Sequence, residues 1–385
     1  MCIRDSSTTS DVGSQYGSTF DGFGNFATST YMVPPGGNTR ERNRGRAIFG
    51  GGQSTSYTSS IQTFNIQSQG NTVEVSELTS ARWGLAAAGS ATRGLFGGGR
   101  TAPGGSGNYL NTIEFVTIAN AGNSSDFGDL TRVGNQINGV SSRIRAVYAA
   151  GYTGSSGGIH NTIDFVSIVS KGDATNFGDL TTLRSGVQPV QNSTRGIFIG
   201  GMDHPAQNSQ QTIDYVTIST TGDAVDFGDL QAATSQSAGL SSPTRGIFTA
   251  FNNNRIDFIT IATLGNAKDF GDLTISTFAC GNGYGNSIRG EISGGTTPSA
   301  IDDRQSFIFA TKGNTTHFGD LLVVRDNHMC MSSPTRCIIA GGTVSSAPSN
   351  QIEYVNPTTS GSAVDTNTTF AAAPSGSGGL SNAHG

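Results

Sequence analysis

Charge is scarce in this chain of 385 residues, and lysine most of all: Lys171, Lys268 and Lys312 are the only three, and charged residues make up 13% of the sequence. A net charge of −5 makes none of the broad electropositive field by which proteins usually hold nucleic acid. No stretch approaches the roughly 20 apolar residues of a membrane-spanning helix, and no helical hydrophobic period lasts beyond a turn or two. A helical bundle and a helical membrane span are therefore both excluded. Cysteine is rare, with 4 residues, so a disulfide scaffold is not what holds the fold. Tryptophan occurs once, at Trp83, and no Ser-x-Asp-x-Gly-x-x-Trp box of the sialidase type is present.

What the chain has in quantity is glycine, 55 residues of it, with Ser, Thr and Asn throughout. Between the glycine clusters run short β-branched and aromatic segments, which read as many short strands joined by tight turns. The class is all-β.

The strands recur. Thr92-Arg93-Gly94-Leu95-Phe96-Gly97-Gly98 returns as Thr194-Arg195-Gly196-Ile197-Phe198-Ile199-Gly200-Gly201, and in altered form at Arg46, Arg145, Arg245, Arg289 and Arg336. Successive arginines stand 47, 52, 50, 50, 44 and 47 residues apart, a period typical of propeller blades. A second block, Ile113-Glu114-Phe115-Val116, matches Ile163-Asp164-Phe165-Val166 and Ile213-Asp214-Tyr215-Val216. A third, Asp126-Phe127-Gly128-Asp129-Leu130, recurs around Phe177, Phe227, Phe270 and Phe318, and decays to Thr366-Asn367-Thr368-Thr369 in the last copy. From the acidic or amide residue of the second block to the fourth residue of the third is always 15 residues, and from there to the next arginine 16 or 17. Only the gap between arginine and second block varies, from 12 to 21. Two rigid connections and one free loop per repeat predict a seven-bladed β-propeller of four-stranded antiparallel blades. Strand 1 precedes each arginine, strand 2 starts at it, and the second and third blocks form strands 3 and 4.

Gly-Gly closing one strand, an aromatic three residues before a Leu in the last strand, and Arg82, Arg184 and Arg325 four residues after their Leu resemble the kelch repeat. The resemblance covers residues 46–385, with Phe127, Phe177, Phe227, Phe270 and Phe318 where the family has Trp, and without the arginine in the other copies. The Phe-Gly-Asp-Leu wording is also similar to repeats in virion or tail-associated proteins of marine phages. Residues 1–6 resemble a translated sequencing adapter, so nothing about a targeting signal can be read from them. In segment 7–45, Phe23-Gly24-Asn25-Phe26 resembles a strand 4 that would complete the seventh blade. Gly379-Leu380-Ser381 resembles a strand 1, which would lead into another blade of a longer array.

Motifs with chemical associations read here as structure. Asp126-Phe127-Gly128 spells a kinase metal-binding triplet, but it recurs at a fixed place in the repeat and so belongs to blade packing. Gly97-Gly98-Gly99 has neither the Lys-Ser/Thr nor the helix of a phosphate cradle. The repeat arginines are expected to bond the carboxylates of Glu114, Asp164, Asp214, Asp257 and Glu353 within or between blades. Cys330 and Cys337 flank Ser332-Ser333-Pro334-Thr335; a hairpin centred there sets them opposite one another, where a disulfide is geometrically permitted. Cys280 reads as a small core residue. The histidines lack metal-ligand spacing, although His160 and His204 fall in variable loops of adjacent blades. No metal and no cofactor is called for.

Antiparallel strands put the variable 2–3 loops and the 4–1 loops on one face, and loops on a stiff scaffold carry recognition. The candidate ligand-binding residues on that face are Arg82, Trp83, Arg184 and Arg325 near the axis, with Arg100, Tyr109, Tyr152, His160 and His204 in the loops. Arg and aromatic side chains anchor interfaces best, and Trp83 offers a platform for stacking a sugar. The expectation is a non-catalytic binding or adhesion module of a virion or cell surface, taking a glycan or protein partner. The alternatives are a structural subunit assembling with other virion or surface proteins, and a carbohydrate-active enzyme. For the enzyme the loops offer Asp203, Asp302 and Asp303 at no telling spacing.

Overall fold

Each repeat's β-branched runs pair with their immediate neighbours in sequence, giving seven four-stranded antiparallel sheets set as the blades of a β-propeller, seen here in a computed structural model. The structure describes residues 46–370 and 378–381, apart from 54–55, 67–71, 91, 103–107, 119–121, 155–157, 205, 236–237, 251–252, 278–282, 298, 334 and 346. Blade 3 shows the pattern: inner strand Asn138–Ser141, second strand Arg145–Ala149, third strand Thr162–Ser167 and outer strand Thr175–Asp179. Inner strands of successive blades lie side by side around the axis.

The ring is joined by Gly378–Ser381, which pairs with Arg46–Gly50 as the inner strand of blade 1. The strand-1 likeness of Gly379-Leu380-Ser381 is therefore realised, but in the first blade and not in a further one. Blade 7 takes its outer strand from Val364–Thr369, although the sequence motif has decayed there. Backbone pairing needs only a β-competent run, which the threonines supply. Phe23–Phe26 lies outside the described residues.

A β-bulge explains the Phe-Gly-Asp-Leu block. In blade 3, Ile163 faces Gly178 and Asp164 faces Asn176, so Phe177 is the extra residue on the outer strand. The same shift recurs in blades 1, 2, 4, 5 and 6, and blade 7 has a register irregularity between Gln351 and Glu353. The bulge turns Phe177 into the core, where it is buried and meets Phe165 edge-on at 5.9 Å. Gly178 has φ of 153°, and its neighbours contact the next blade: Gly222 N–H donates to Phe177 O at 2.8 Å, and Ala224 N–H to Asp179 O at 2.8 Å. Equivalent bonds join Gly172 to Phe127, Gly265 to Phe227, Gly313 to Phe270 and Gly361 to Phe318. The motif is a stitch between blades.

The core lies between blades. One cluster joins Val147, Ile163 and Phe177 of blade 3 to Phe198 and Val216 of blade 4, and another joins Ile48 and Ile61 to Phe96 and Val116. Strands apolar on both faces follow from this sandwiching.

Two expectations change. Arg93 pairs in register with Thr117, three residues from Glu114, and so cannot reach that carboxylate. Six of the seven repeat arginines reach the next blade instead, while Arg289 donates to Ser306 of its own blade at 2.8 Å. Arg93 donates to Ile168 O at 2.7 Å, Arg145 to Ile218 O at 3.0 Å and Arg195 to Ile261 O at 2.7 Å. Each also lies over its own third-strand aromatic ring, Phe115, Phe165 or Tyr215, at 4.4–5.1 Å. Cys337 faces Ser332 while Cys330 faces Ile339, because the turn spans 333–336 and is centred one residue later than expected. Both thiols are buried and neither is in a disulfide, and Cys280 lies outside the described residues.

Candidate functional site

Beyond the double glycine of strand 2 the chain keeps pairing for one more residue. Gly98 and Gly99, at φ of 66° and 103°, turn Arg100 so that it bridges Trp83 of the 4–1 loop on one side and Tyr109 on the other. Tyr152 does the same between Asn135 and Ile159, and Met202 between Ser185 and Ser209. Blades 2, 3 and 4 thus each carry a small rung-like extension on the loop face, built from a 4–1 loop and a 2–3 loop. Loops that are otherwise variable are held by backbone bonds, such as Trp83 N–H to Arg100 O at 3.0 Å and the return bond at 2.9 Å.

These rungs bring together most of the loop candidates. The Arg100 guanidinium lies 4.6 Å above the Trp83 ring, leaving the indole half-buried with one face covered. Tyr109 meets Tyr152 edge-on at 6.4 Å, and Tyr152 stacks on His204 at 4.1 Å with 13° between the rings. Ser185 Oγ lies 3.1 Å from His204 Nε2 and fixes the imidazole. Burial lowers the His204 pKa against the opposing pull of Asp203, which favours the neutral ring. Tyr109 is buried, while Tyr152 and His204 are half-exposed. The result is a band of aromatic and guanidinium groups crossing three blades, flanked by the exposed apolar side chains of Val133 and Leu183 in the 4–1 loops.

Arg82, Arg184 and Arg325 are not part of that surface. All three side chains are fully buried, each paired with a third-strand carboxylate: Arg82 with Glu114, Arg184 with Asp214 at 2.8 Å and Arg325 with Glu353. Arg184 also donates to the carbonyls of Gly200 at 3.0 Å, Thr212 at 2.6 Å and Phe198 at 3.2 Å, so both terminal nitrogens are engaged inside. The same carboxylates reach back to the linker that leaves the preceding blade. Asp214 accepts from Thr181 N–H at 3.1 Å and its hydroxyl at 2.7 Å, and Glu114 accepts from the Thr79 hydroxyl at 2.8 Å. Arginine and carboxylate together latch the 4–1 linker onto the incoming blade.

Blade 3 keeps the carboxylate, Asp164, but has Gly134 where the latch arginine would stand. A small void remains, lined by Ala150, Thr162 and Asp164, whose counterparts in blade 2 bond Arg82. His160 lines this void and not the aromatic band; its Nε2 and the Tyr148 hydroxyl are buried there without a hydrogen-bond partner. Desolvation raises the pKa of Asp164 against the pull of its bonds to Thr131. His160 and His204, though in adjacent blades, serve different surroundings.

The perturbed carboxyls Glu291 and Glu353 sit in blade junctions against Arg304 and Arg325, each raised by burial with the arginine opposing. Asp203 accepts from Asn208 N–H at 2.7 Å and organises its own loop. Asp303 is different: it meets His317 and Asp320, a grouping that linear spacing did not reveal. Among the described residues no helix is long and apolar enough to cross a membrane.

Comparison with the models of known protein families gives no match, and comparison with curated proteins gives none either.

Proposed function

We propose that this chain is a non-catalytic recognition propeller, a binding or adhesion module of a virion or cell surface that takes a glycan or protein partner on its loop face. The observation that carries this reading is the band of Trp83, Arg100, Tyr109, Tyr152 and His204 across blades 2–4. Aromatic and arginine side chains on a rigid frame lose little entropy on binding and present both apolar faces and donors. The kelch resemblance of the repeat supports a scaffold role for the blades, and the likeness of its Phe-Gly-Asp-Leu wording to phage virion repeats supports the location.

A second reading, an assembly subunit, is favoured by exposed apolar side chains on the opposite face. Ile144 and Ile288 in 1–2 turns and Val169 and Leu264 in 3–4 hairpins are 54–66% exposed.

A glycan array and whole-cell binding screen tests the first reading, run on the parent chain with Trp83→Ala, Tyr152→Ala and Arg100→Ala. Saturable binding weakened at least tenfold by these changes is expected. Absence of binding by the folded protein, together with stable self-association in sedimentation, would shift the assignment to the assembly subunit.

A further inference from the structure

We propose that Asp303, His317 and Asp320 form a binding site for a first-row transition dication such as Zn²⁺ or Mn²⁺ at the rim of blade 6. Asp303 opens the third strand (Asp303–Ile308) and Asp320 closes the outer strand (Thr316–Asp320), and the two face each other in register. His317 is three residues from Asp320, which in a regular strand would put them on opposite faces. The bulge opposite Arg304 and Gln305 adds the extra residue that returns His317 to the same side. One ligand atom from each of the three lies within 4.8 Å of the others.

A second observation points to a ligand. Asp303 is 7% exposed, and its carboxylate is bonded through Oδ1 to His317 Nδ1 at 2.6 Å, whereas Oδ2 is buried without a hydrogen-bond partner. A buried carboxylate oxygen left unsatisfied is costly, and a cation at that oxygen removes the cost directly. The nearest arginine cannot serve, because Arg304 turns inward to Glu291 at 2.5 Å and to the Gly361 carbonyl.

The repeat supplies an internal control. The positions of Asp303 and His317 are held by Thr112 and Asp126 in blade 2, and by Thr162 and Asn176 in blade 3. Those blades form the same strands and the same bulge without an Asp–His pair. Packing therefore does not require the two departures in blade 6, and they fall on facing strands beside a third acidic residue. One imidazole nitrogen and two carboxylate oxygens suit Zn²⁺ or Mn²⁺ better than the all-oxygen shells of Mg²⁺ and Ca²⁺. Three protein ligands leave a coordination position open for water or an oxygen of a bound partner.

The test is isothermal titration of the full chain with ZnCl₂ and MnCl₂, and with MgCl₂ as the oxygen-preferring control. Co²⁺ absorption supplies a reading of nitrogen ligation. The expected result is one Zn²⁺ per chain, at least tenfold tighter than Mg²⁺, with affinity reduced at least tenfold by His317→Ala and by Asp303→Asn. His317 is 58% exposed at the side chain, so its replacement leaves the fold intact. No binding, or equal binding by the parent and His317→Ala, would overturn the proposal. A Co²⁺ spectrum unchanged in His317→Ala would do so as well.

Discussion

His328 gives the chain an acid sensitivity that a single substitution should remove. It occupies the place held by Leu85, Ile137 and Val187 in other blades, all buried and apolar. The imidazole is 3% exposed, with Nε2 3.3 Å from Ser293 Oγ and Nδ1 buried without a partner. Burial, aided by the nearby Arg325 charge, pushes its pKa down to about 3. The unfolded chain protonates the same ring near 6.5, roughly the ordinary histidine value. The folded pKa is thus depressed, so the contribution to stability is fully present above pH 6.5 and is lost as pH falls toward the folded value. Between pH 7 and pH 5 the unfolded state takes up a proton that the folded state refuses, which at about 1.4 kcal/mol per pH unit amounts to about 2 kcal/mol. Urea unfolding of the parent and of His328→Leu at the two pH values measures it. Asp164 and Asp257, whose pKa values burial raises, titrate in the opposite sense but equally in both proteins, and so cancel in the difference. The parent should lose about 2 kcal/mol more than His328→Leu on acidification. Equal losses would refute the assignment of a buried neutral imidazole.

Arg184→Ala removes one member of a fully buried pair and strips donors from three carbonyls, so a loss of about 3–5 kcal/mol in chemical denaturation is expected. Partner binding measured well below the melting temperature should be unchanged, since no part of Arg184 is exposed; a binding defect without destabilisation would contradict the latch. Gly178→Ala places a Cβ at φ of 153° against the Gly222 carbonyl of the next blade, whereas at Gly172, with φ of 154°, a Cβ meets nothing within 4 Å. Backbone strain of about 1–3 kcal/mol should appear in both variants. Thermal unfolding should show Gly178→Ala to be clearly the less stable; equal melting temperatures would mean that the stitch between blades yields at no cost.

The blade was legible because its constraints are periodic. Constant spacing between the second and third blocks reflects a hairpin whose length the inter-blade stitch fixes, and the variable gap marks the loop that no neighbour fixes. The two arginine classes were harder to separate. Arg93 and Arg82 are both recurrent and both precede the second-block carboxylate, but only the pairing of Phe96 with Glu114 shows which of them the carboxylate meets. Spacing gave no sign that Arg82, Arg184 and Arg325 point inward, since an arginine beginning a loop is ordinarily at the surface. Their presence in some copies and replacement by Gly134 or Thr234 in others was the available signal: the position follows the blade interior and not the loops. The Asp303–His317–Asp320 grouping stayed hidden because a bulge, invisible in composition, reverses which residues share a face.

The division of labour between the two kinds of contact bears on how such a molecule can bind. Neighbouring blades are held mainly by apolar interleaving of strands, by backbone stitches at the Phe-Gly motif and by carboxylate latches on the 4–1 linkers. The 2–3 loops add contacts between the rings of Tyr109, Tyr152 and His204, so the aromatic band of blades 2–4 rests on a frame whose stitches and latches lie beneath it. Blade 3 lacks part of that frame. Without the latch arginine, Asp164 is still kept by the Thr131 N–H at 2.9 Å and hydroxyl at 2.7 Å, so the linker stays anchored while the socket above it stands open toward His160. A void lined by Leu130, Val133 and Ile137 together with a carboxylate, an imidazole and a phenol lies close to the extension that carries Tyr152. A partner seated on Tyr152 would feel the state of that socket, whereas one seated on Trp83 would rest on a latch that is complete.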